Sequence, residues 1–555
     1  MKKIKDIFKD NSNKISKIDW IIMIILMVLY GCLSFYRLGD LQTPESYYTF
    51  KKIGDHNLVQ FGDTVNIAKI KYYSGNKTGG FRLLTSQEKK DHEDDISIFT
   101  TNVFSWGEFR INLTTNYIDF VSEEDNITLG EVVFYDKSGN IIKPIMDKNN
   151  PLLDEVNTVP LENSYLNNTY FDEIFYARSA YEYAHGLDAY EWTHPPLGKI
   201  IMAIPIRLFG FSPFNYRFMG NLAGIFMISL MYILAKKIFK NRKWALLAAL
   251  LMMFDNFHFA HTRIALIDSF QIVFILVSII FMKNYLDCKE NASFNKISIN
   301  LLLSGIFIGC AISTKWNAIY IGIGLAIIFF IDLLKSRKKK NNLFKLFILC
   351  VISFIVIPLA IYILSYLLFP NVDGYDGTLL GIINQTKRML TFHSNTEMTH
   401  SYSSKWYTWP IMYRPISLYS SLSIDGMRSV IVDIGNPAIW WFGIPSIIYL
   451  FISVIKKRDY DYLLILILIL SSYLPYIFVN RIMFMYHYFI TLPFVFLAIV
   501  SLIKWITEKL KTNKVYYLYI IVVIISFIMF YPIVSGMNVK EEYITFTKWL
   551  SSWDY

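Results

Sequence analysis

Apolar runs long enough to cross a lipid bilayer recur along this chain, and they leave few folds open. A hydrocarbon core about 30 Å thick takes about 20 helical residues, and each span must satisfy its own backbone hydrogen bonds. Such runs lie at 20–36 and then near 216–236, 244–260, 264–283, 299–315, 316–334, 343–369, 436–455, 462–480, 482–504 and 515–535. They predict a polytopic α-helical membrane protein with about 11 spans. Composition agrees: of 555 residues, 54% are hydrophobic and only 18% charged, too few charges to cover a soluble protein of this size. The first run follows a Lys-rich start without a small-residue cleavage signal, so it reads as a retained anchor. The run 198–211 is interrupted by Pro205 and carries Arg207; it reads as a helix lying in the interface.

The basic residues orient this layout. Segments 1–19, 236–243, 283–298, 335–345, 456–461 and 504–514 hold 27 of the 54 Lys and Arg. With about 11 spans these are alternate connections on one side, as the positive-inside rule requires. The expected protein is therefore a multi-pass cell-membrane protein with a cytoplasmic N-terminus. Its expected parts are the N-terminus and first helix (1–39), a polar insert (40–165), an outer loop with interfacial helices (166–215), helices 2–7 (216–369), a long outer loop (370–435), helices 8–11 (436–535) and an outer tail (536–555). The net charge of +10 reports this topology and implies no nucleic-acid partner. Cys32, Cys288, Cys310 and Cys350 form no CxxC pair, so neither a zinc site nor a disulfide framework is indicated.

Residues 40–165 differ from the rest. Alternating stretches such as "FRINLTTNYIDFV" (109–121), and a hairpin pattern in "EVVFYDKSGNIIKPI" (131–145) around 137–140, predict a small extracytoplasmic β-rich domain. A sandwich of carbohydrate-binding-module type is the expected form.

The chemistry-bearing residues fall in outer loops or at outer helix ends. In "YFDEIFYARSA" (170–180), Asp172 and Glu173 open a helix whose apolar face is Ile174, Ala177, Tyr181 and Ala184. Acidic residues suit a helix N-terminus; a general base at the membrane border needs the same residue type. "EWTHPPLGK" (191–199) holds His194 and Lys199 beside a stiff Pro-Pro turn. Arg217, Arg263, Lys315 and Arg481 each sit where an apolar helix meets the outer surface. Singly they would snorkel to headgroups; together they suit an anion such as a lipid phosphate. In "HSYSSKWYTWPIMYRPI" (400–416), His400, Trp406 and neighbouring rings and cations suit a sugar and a phosphate as well as an interfacial belt. No carboxylate pattern completes a metal site around the histidines, which read as structural or hydrogen-bonding groups.

These stretches, with "NYRFMG", "FAHTRIALIDSF", "STKWNAIY", "IGNPAIWW" and "NRIMFMYHYF", resemble in order the motifs of the protein O-mannosyltransferase family, specifically its bacterial members, over most of 165–505. The resemblance implies a GT-C membrane fold. It implies inverting transfer of mannose from a polyprenyl-phosphate carrier to Ser or Thr of exported proteins. The lipid-linked sugar, the protein acceptor and membrane lipids are then the partners, the resemblance names no further cofactor, and some members form dimers. By the same resemblance Asp172 is the catalytic base and Glu173 its acidic neighbour. Arg217 contacts the carrier phosphate, helped by Arg263 and Lys315. His194, Lys199, His261, His400, Trp406, Arg481, Tyr486 and His487 are further substrate-site candidates. Two departures stand out. Trp192 occupies the place where the family commonly has an Asp two residues before the His, and Glu191 is displaced by one. The loop 370–435 is too short for the β-trefoil of eukaryotic members, and the extra domain lies at 40–165 instead. Two other readings stay open: a carrier-dependent glycosyltransferase acting on a lipid or envelope polymer, and a transporter or flippase. The latter would more often place carboxylates inside its spans.

Overall fold

The computed structural model describes residues 12–87, 94–145, 150–288, 292–335, 343–395, 399–423 and 425–555. Parts of three basic connections, 1–11, 289–291 and 336–342, lie outside them. The chain divides into two compact units: Met1–Tyr36, Gly186–Met202 and Met219–Tyr555 form one, Arg37–His185 and Ala203–Phe218 the other.

The second unit contains a single seven-stranded antiparallel sheet, where two facing sheets were expected. Its strands are β1 (Tyr48–Phe50), β2 (His56–Ser74), β3 (Gly80–Ser86), β4 (Asp94–Phe99), β5 (Trp106–Ser122), β6 (Ile127–Tyr135) and β7 (Ile141–Ile142), in the order β1-β6-β2-β5-β3-β4 with β7 on β6. Irregular registers between Gln60 and Val65 and between Ile67 and Lys69 bend β2 along β5. This lets Phe50, Ile70, Phe81, Phe120 and Phe134 from five strands share one core, so one sheet does what a sandwich would. The expected hairpin is present, with Phe134 opposite Ile142 and the Asp136 carboxylate accepting from the Ser138 and Asn140 amides.

The helices are α1 (Lys17–Phe35), α2 (Glu173–His185), α3 (Leu197–Phe209), α4 (Pro213–Phe239), α5 (Arg242–Met253), α6 (Asn256–Thr262), α7 (Asp268–Leu286), α8 (Phe294–Ile312), α9 (Ala318–Lys335), α10 (Leu343–Val351), α11 (Ile357–Leu367), α12 (Leu379–Asn395), α13 (Pro437–Lys457), α14 (Tyr460–Tyr473), α15 (Leu492–Lys509), α16 (Lys514–Ser535) and α17 (Glu541–Thr547). Among the described residues, nine helical stretches are long and apolar enough to cross a membrane. Two of the expected spans have another form. The run 244–260 breaks at Asp255, whose carboxylate caps α6 by accepting from the His258 amide and also receives the Asn436 amide and the Trp440 indole N–H. The run 482–504 begins as a 3₁₀ turn (Met485–Ile490) before α15, which ends in the charged residues Lys504, Glu508 and Lys509. Nine of the expected 11 runs are thus continuous helices that meet both length and apolarity among the described residues, and the other two are apolar segments that carry a buried cap or a terminal charge cluster.

Close packing shapes the rest of this unit. A π-helical turn, Ile352–Val356, joins α10 to α11, next to Pro358, which has no N–H to give the helix. A Cβ on Gly305 would lie 1.9 Å from the Ser353 carbonyl oxygen, so only glycine admits this approach of α8. The first helix is tied in by a buried Asp19 that accepts from Arg242 Nε (2.8 Å) and Tyr232 OH (2.7 Å).

Candidate active site

Asp172 and Glu173 are adjacent in sequence and have different environments. Helix α2 begins at Glu173, so Asp172 takes the N-cap place; its carbonyl accepts from the Phe175 and Tyr176 amides at 3.0 and 3.1 Å. The preceding Phe171 has φ +51°, a left-handed conformation that side chains other than glycine seldom adopt. Asp172 remains partly exposed, whereas Glu173 is fully buried. The Glu173 carboxylate receives Arg217 Nε and Nη2, both at 2.7 Å. The rest of that guanidinium is committed as well. Nη1 donates to the Leu38 and Tyr165 carbonyls at 2.9 and 2.7 Å, and Nη2 to the Asn168 carbonyl at 3.0 Å. Arg217 therefore stitches the chain after α1, the loop before α2 and the start of α4, with all five N–H donors engaged on protein.

A second constellation is built in the other unit, around a cavity of about 300 Å³ lined by His194, Lys315, Tyr320, His393, Arg481 and His487, among others. The turn 191–199 supplies one wall. Pro195 and Pro196 precede α3, and Lys199, fully buried, reaches back from its first turn to the Glu191 carboxylate (2.6 Å) and the His194 carbonyl (2.9 Å). Gly198 lets α3 approach Ile267 and Thr314, where a Cβ would sit 2.9 Å from each side chain. Glu191 also accepts from the Thr193 amide (2.8 Å) and faces His194 Nδ1 (3.2 Å). Burial pushes the Glu191 carboxyl up, but Lys199 and His194 outweigh it and hold the group well below the usual carboxylate range. Burial lowers the His194 pKa against the pull of Glu191. Lys315, at the break between α8 and α9, pairs with Asp268 at 2.9 and 3.1 Å, with its ammonium 5.3 Å from the Tyr486 ring centre.

Helix α12 closes the cavity. His393 Nε2–H donates to the Thr193 carbonyl (2.8 Å), so Nδ1 is the acceptor for Arg481 Nη1 (2.7 Å). Burial, with His194 and Arg481 nearby, pushes the His393 pKa down to about 4, which keeps the ring neutral and able to accept from Arg481. The remaining predicted residues lie apart from this cavity. Arg263 braces the carbonyls of Ser34, Tyr36 and Ser535, where α1 and α16 end. His261 pairs with Asp433 at 2.6 Å, both fully buried, and its ring centre lies 6.0 Å from that of Tyr486. His400 and Trp406 line a larger neighbouring cleft.

Glu191, Asp268, His393 and Asp433 complete these networks and were not among the predicted site residues. Asp268 stands inside "FAHTRIALIDSF" and Glu191 one place from an expected acid, so both carried a signal. His393 carried none, because its partner Thr193 is 200 residues away in the chain. Among the described residues no three His, Cys, Asp or Glu gather as a metal site.

Residues 211–368 match the family model for dolichyl-phosphate-mannose-protein mannosyltransferase, and 379–553 match that for the C-terminal four-helix membrane region of protein O-mannosyltransferase. The chain is 24% identical over 451 residues to a polyprenol-phosphate-mannose–protein mannosyltransferase of Mycolicibacterium smegmatis, covering 69% of this chain and 87% of that protein. A Mycobacterium tuberculosis protein of the same name is 23% identical over 454 residues, covering 69% and 86%. Among solved structures, the Saccharomyces cerevisiae protein O-mannosyltransferase Pmt1-Pmt2 complex bound to the sugar donor aligns with a TM-score of 0.62 at 15% identity, over 70% of this chain and 89% of that one. At that identity the likeness shows a common GT-C fold.

Proposed function

We propose that this chain, which belongs to the protein O-mannosyltransferase family, moves mannose from a polyprenyl-phosphate carrier to Ser or Thr hydroxyls of exported proteins. A sugar on a lipid phosphate already has a good leaving group. It needs cations to stabilise the departing phosphate and one base for the acceptor, not the two flanking carboxyl groups of a glycosidase. Asp172 takes the hydroxyl proton as the acceptor oxygen attacks the anomeric carbon. The bond from that carbon to the phosphate oxygen breaks, and polyprenyl phosphate leaves with the electron pair. One displacement inverts the centre, so a β-linked donor gives an α-linked product.

The observation that carries this reading is the contrast in burial within the Asp-Glu pair: Glu173 is fully buried against Arg217, whereas Asp172 beside it is partly exposed on a fixed helix start. In this reading Arg217 positions the base by anchoring α2, in place of the phosphate contact expected of it. Arg481, which lines the polar cavity and has no carboxylate partner among the described residues, supplies positive charge to the phosphate, and Lys315 on the same cavity is held in place by Asp268. Arg263 braces helix ends. The clustering of basic residues in alternate connections supports a cytoplasmic N-terminus and an extracytoplasmic active face.

The test is transfer by the purified protein from polyprenyl-phosphate mannose to a Ser/Thr peptide. Asp172→Asn is expected to lower turnover by about 10³-fold or more with expression and melting temperature retained. Near-normal turnover sinks the assignment of the base. Mannose recovered only in the lipid fraction moves the function to a lipid or envelope polymer.

A further inference from the structure

The cleft beside the polar cavity has a charge pattern of its own. It measures about 1060 Å³ and is walled by residues 399–414 and 476–483. Lys405, Arg414 and Arg481 line it, with His400, and no Asp or Glu does among the described residues. Elsewhere Lys199, Lys315 and Arg217 each hold a carboxylate. The three cleft cations make no ion pair among the described residues; Arg414 donates to the Ser401 carbonyl (2.7 Å) and Arg481 to His393. Unneutralised cations side by side in one cleft are a standing attraction for an anionic partner.

The walls also fit a polypeptide. Tyr407 and Tyr413 are 56% and 48% exposed, large rings open to a partner among the hydroxyls of Ser401, Ser403 and Thr408. The floor is stiff. Trp409, buried, donates to Ser404 Oγ (3.1 Å), Tyr473 OH donates to the Trp406 carbonyl (2.8 Å), and the C-terminal Trp553 holds the carbonyl of the left-handed Met412 (2.6 Å). The cleft shares Tyr476, Val479 and Arg481 with the polar cavity, so a segment lying in it leads to the proposed phosphate site.

We infer that this cleft selects acceptors by charge: it docks acidic residues flanking the acceptor Ser or Thr, with Lys405 and Arg414 as the specificity-determining groups. The inference rests on the reading of the chain as a protein mannosyltransferase. The experiment uses full-length protein in nanodiscs, polyprenyl-phosphate mannose, and three peptides that differ only in Asp, Asn or Lys flanks. The Asp peptide is expected to have a KM about tenfold below the Asn peptide, since one exposed pair is worth up to about fivefold and several act together. The gap should shrink as NaCl rises. Lys405→Glu, at an exposed position, should raise the KM of the Asp peptide and lower that of the Lys peptide. Equal KM values for the three peptides, or no charge reversal in Lys405→Glu, overturn the inference and leave the mannosyl-transfer reading standing. Transfer to none of the peptides overturns both. A rate that follows the phosphatidylglycerol content of the nanodisc and ignores peptide charge assigns these cations to lipid headgroups and overturns the inference.

Discussion

Arg217 and Arg481 look alike in sequence, each a lone cation where an apolar run meets a polar loop, yet their surroundings are opposite. Arg217 is fully buried, and its five N–H donors meet one carboxylate and three carbonyls. Arg481 lines a cavity and a cleft and meets a neutral imidazole. A guanidinium whose donors are all matched inside the protein has its charge compensated there; one that leans on a neutral ring does not, which is why the proposed function gives Arg481 and not Arg217 to the phosphate. The difference teaches that residue type and place in the sequence do not tell a compensated cation from an uncompensated one.

The strongest way to break this comparison is at the Arg217–Glu173 pair. Arg217→Ala or Glu173→Ala strands a buried charge and should cost about 3–5 kcal/mol of stability, read as loss of monodisperse protein in detergent and a lower melting temperature. The double change Glu173→Leu with Arg217→Met should recover much of the stability while transfer stays impaired. A folded Arg217→Ala protein of normal melting temperature and weakened donor binding would return Arg217 to the phosphate. Next in size, Arg481→Ala should leave stability within about 0.5 kcal/mol and slow transfer by roughly 10²-fold, as loss of a charge-assisted contact of about 2–3 kcal/mol implies.

Glu131 in the sheet is a third arrangement, a buried carboxyl with only the Glu155 amide donating to it (2.6 Å) and no cation partner among the described residues. Burial pushes its pKa from 4.5 up to about 8. The folded state therefore holds a proton that the unfolded chain releases, and stability falls as pH rises from 4.5 through 8. Glu131→Gln should remove that slope and stabilise β2–β6 by about 1–2 kcal/mol at the alkaline end, read by hydrogen exchange on the full chain. The smallest effect concerns His393. Its pKa is lowered from 6.5 to about 4, so its contribution is complete above 6.5 and is lost as pH falls toward 4. Exchange in α12, corrected for intrinsic rate, should rise over that window, and His393→Gln should flatten the rise.

Much of this was legible beforehand where the signal is local. Hydropathy located the helices, alternation located the sheet with its 131–145 hairpin, and the helix start at Asp172 followed from residue type. The ordered motifs led to the family. What was not legible involves partners far apart in the chain. Lys199 bonding Glu191 was within reach of the Pro-Pro turn, but His393 meeting Thr193 and Arg217 meeting Leu38 were not. The single bent sheet, too, depended on bulges that alternation does not report.

The sequence by itself determined that this chain lives in a bilayer, carries a polar β-rich insert and places acids and cations in the connections and at the ends of its apolar runs. Those properties follow from side-chain solvation and short-range periodicity, which each residue carries with it. Only the tertiary structure decided which of those charges are consumed. Arg217, Lys199 and Arg263 are committed to protein acceptors, whereas Arg481, Lys405 and Arg414 face open space without a carboxylate among the described residues. That division depends on how many hydrogen-bond acceptors converge on each cation. Convergence is a property of three-dimensional packing between distant segments, which no stretch of sequence contains.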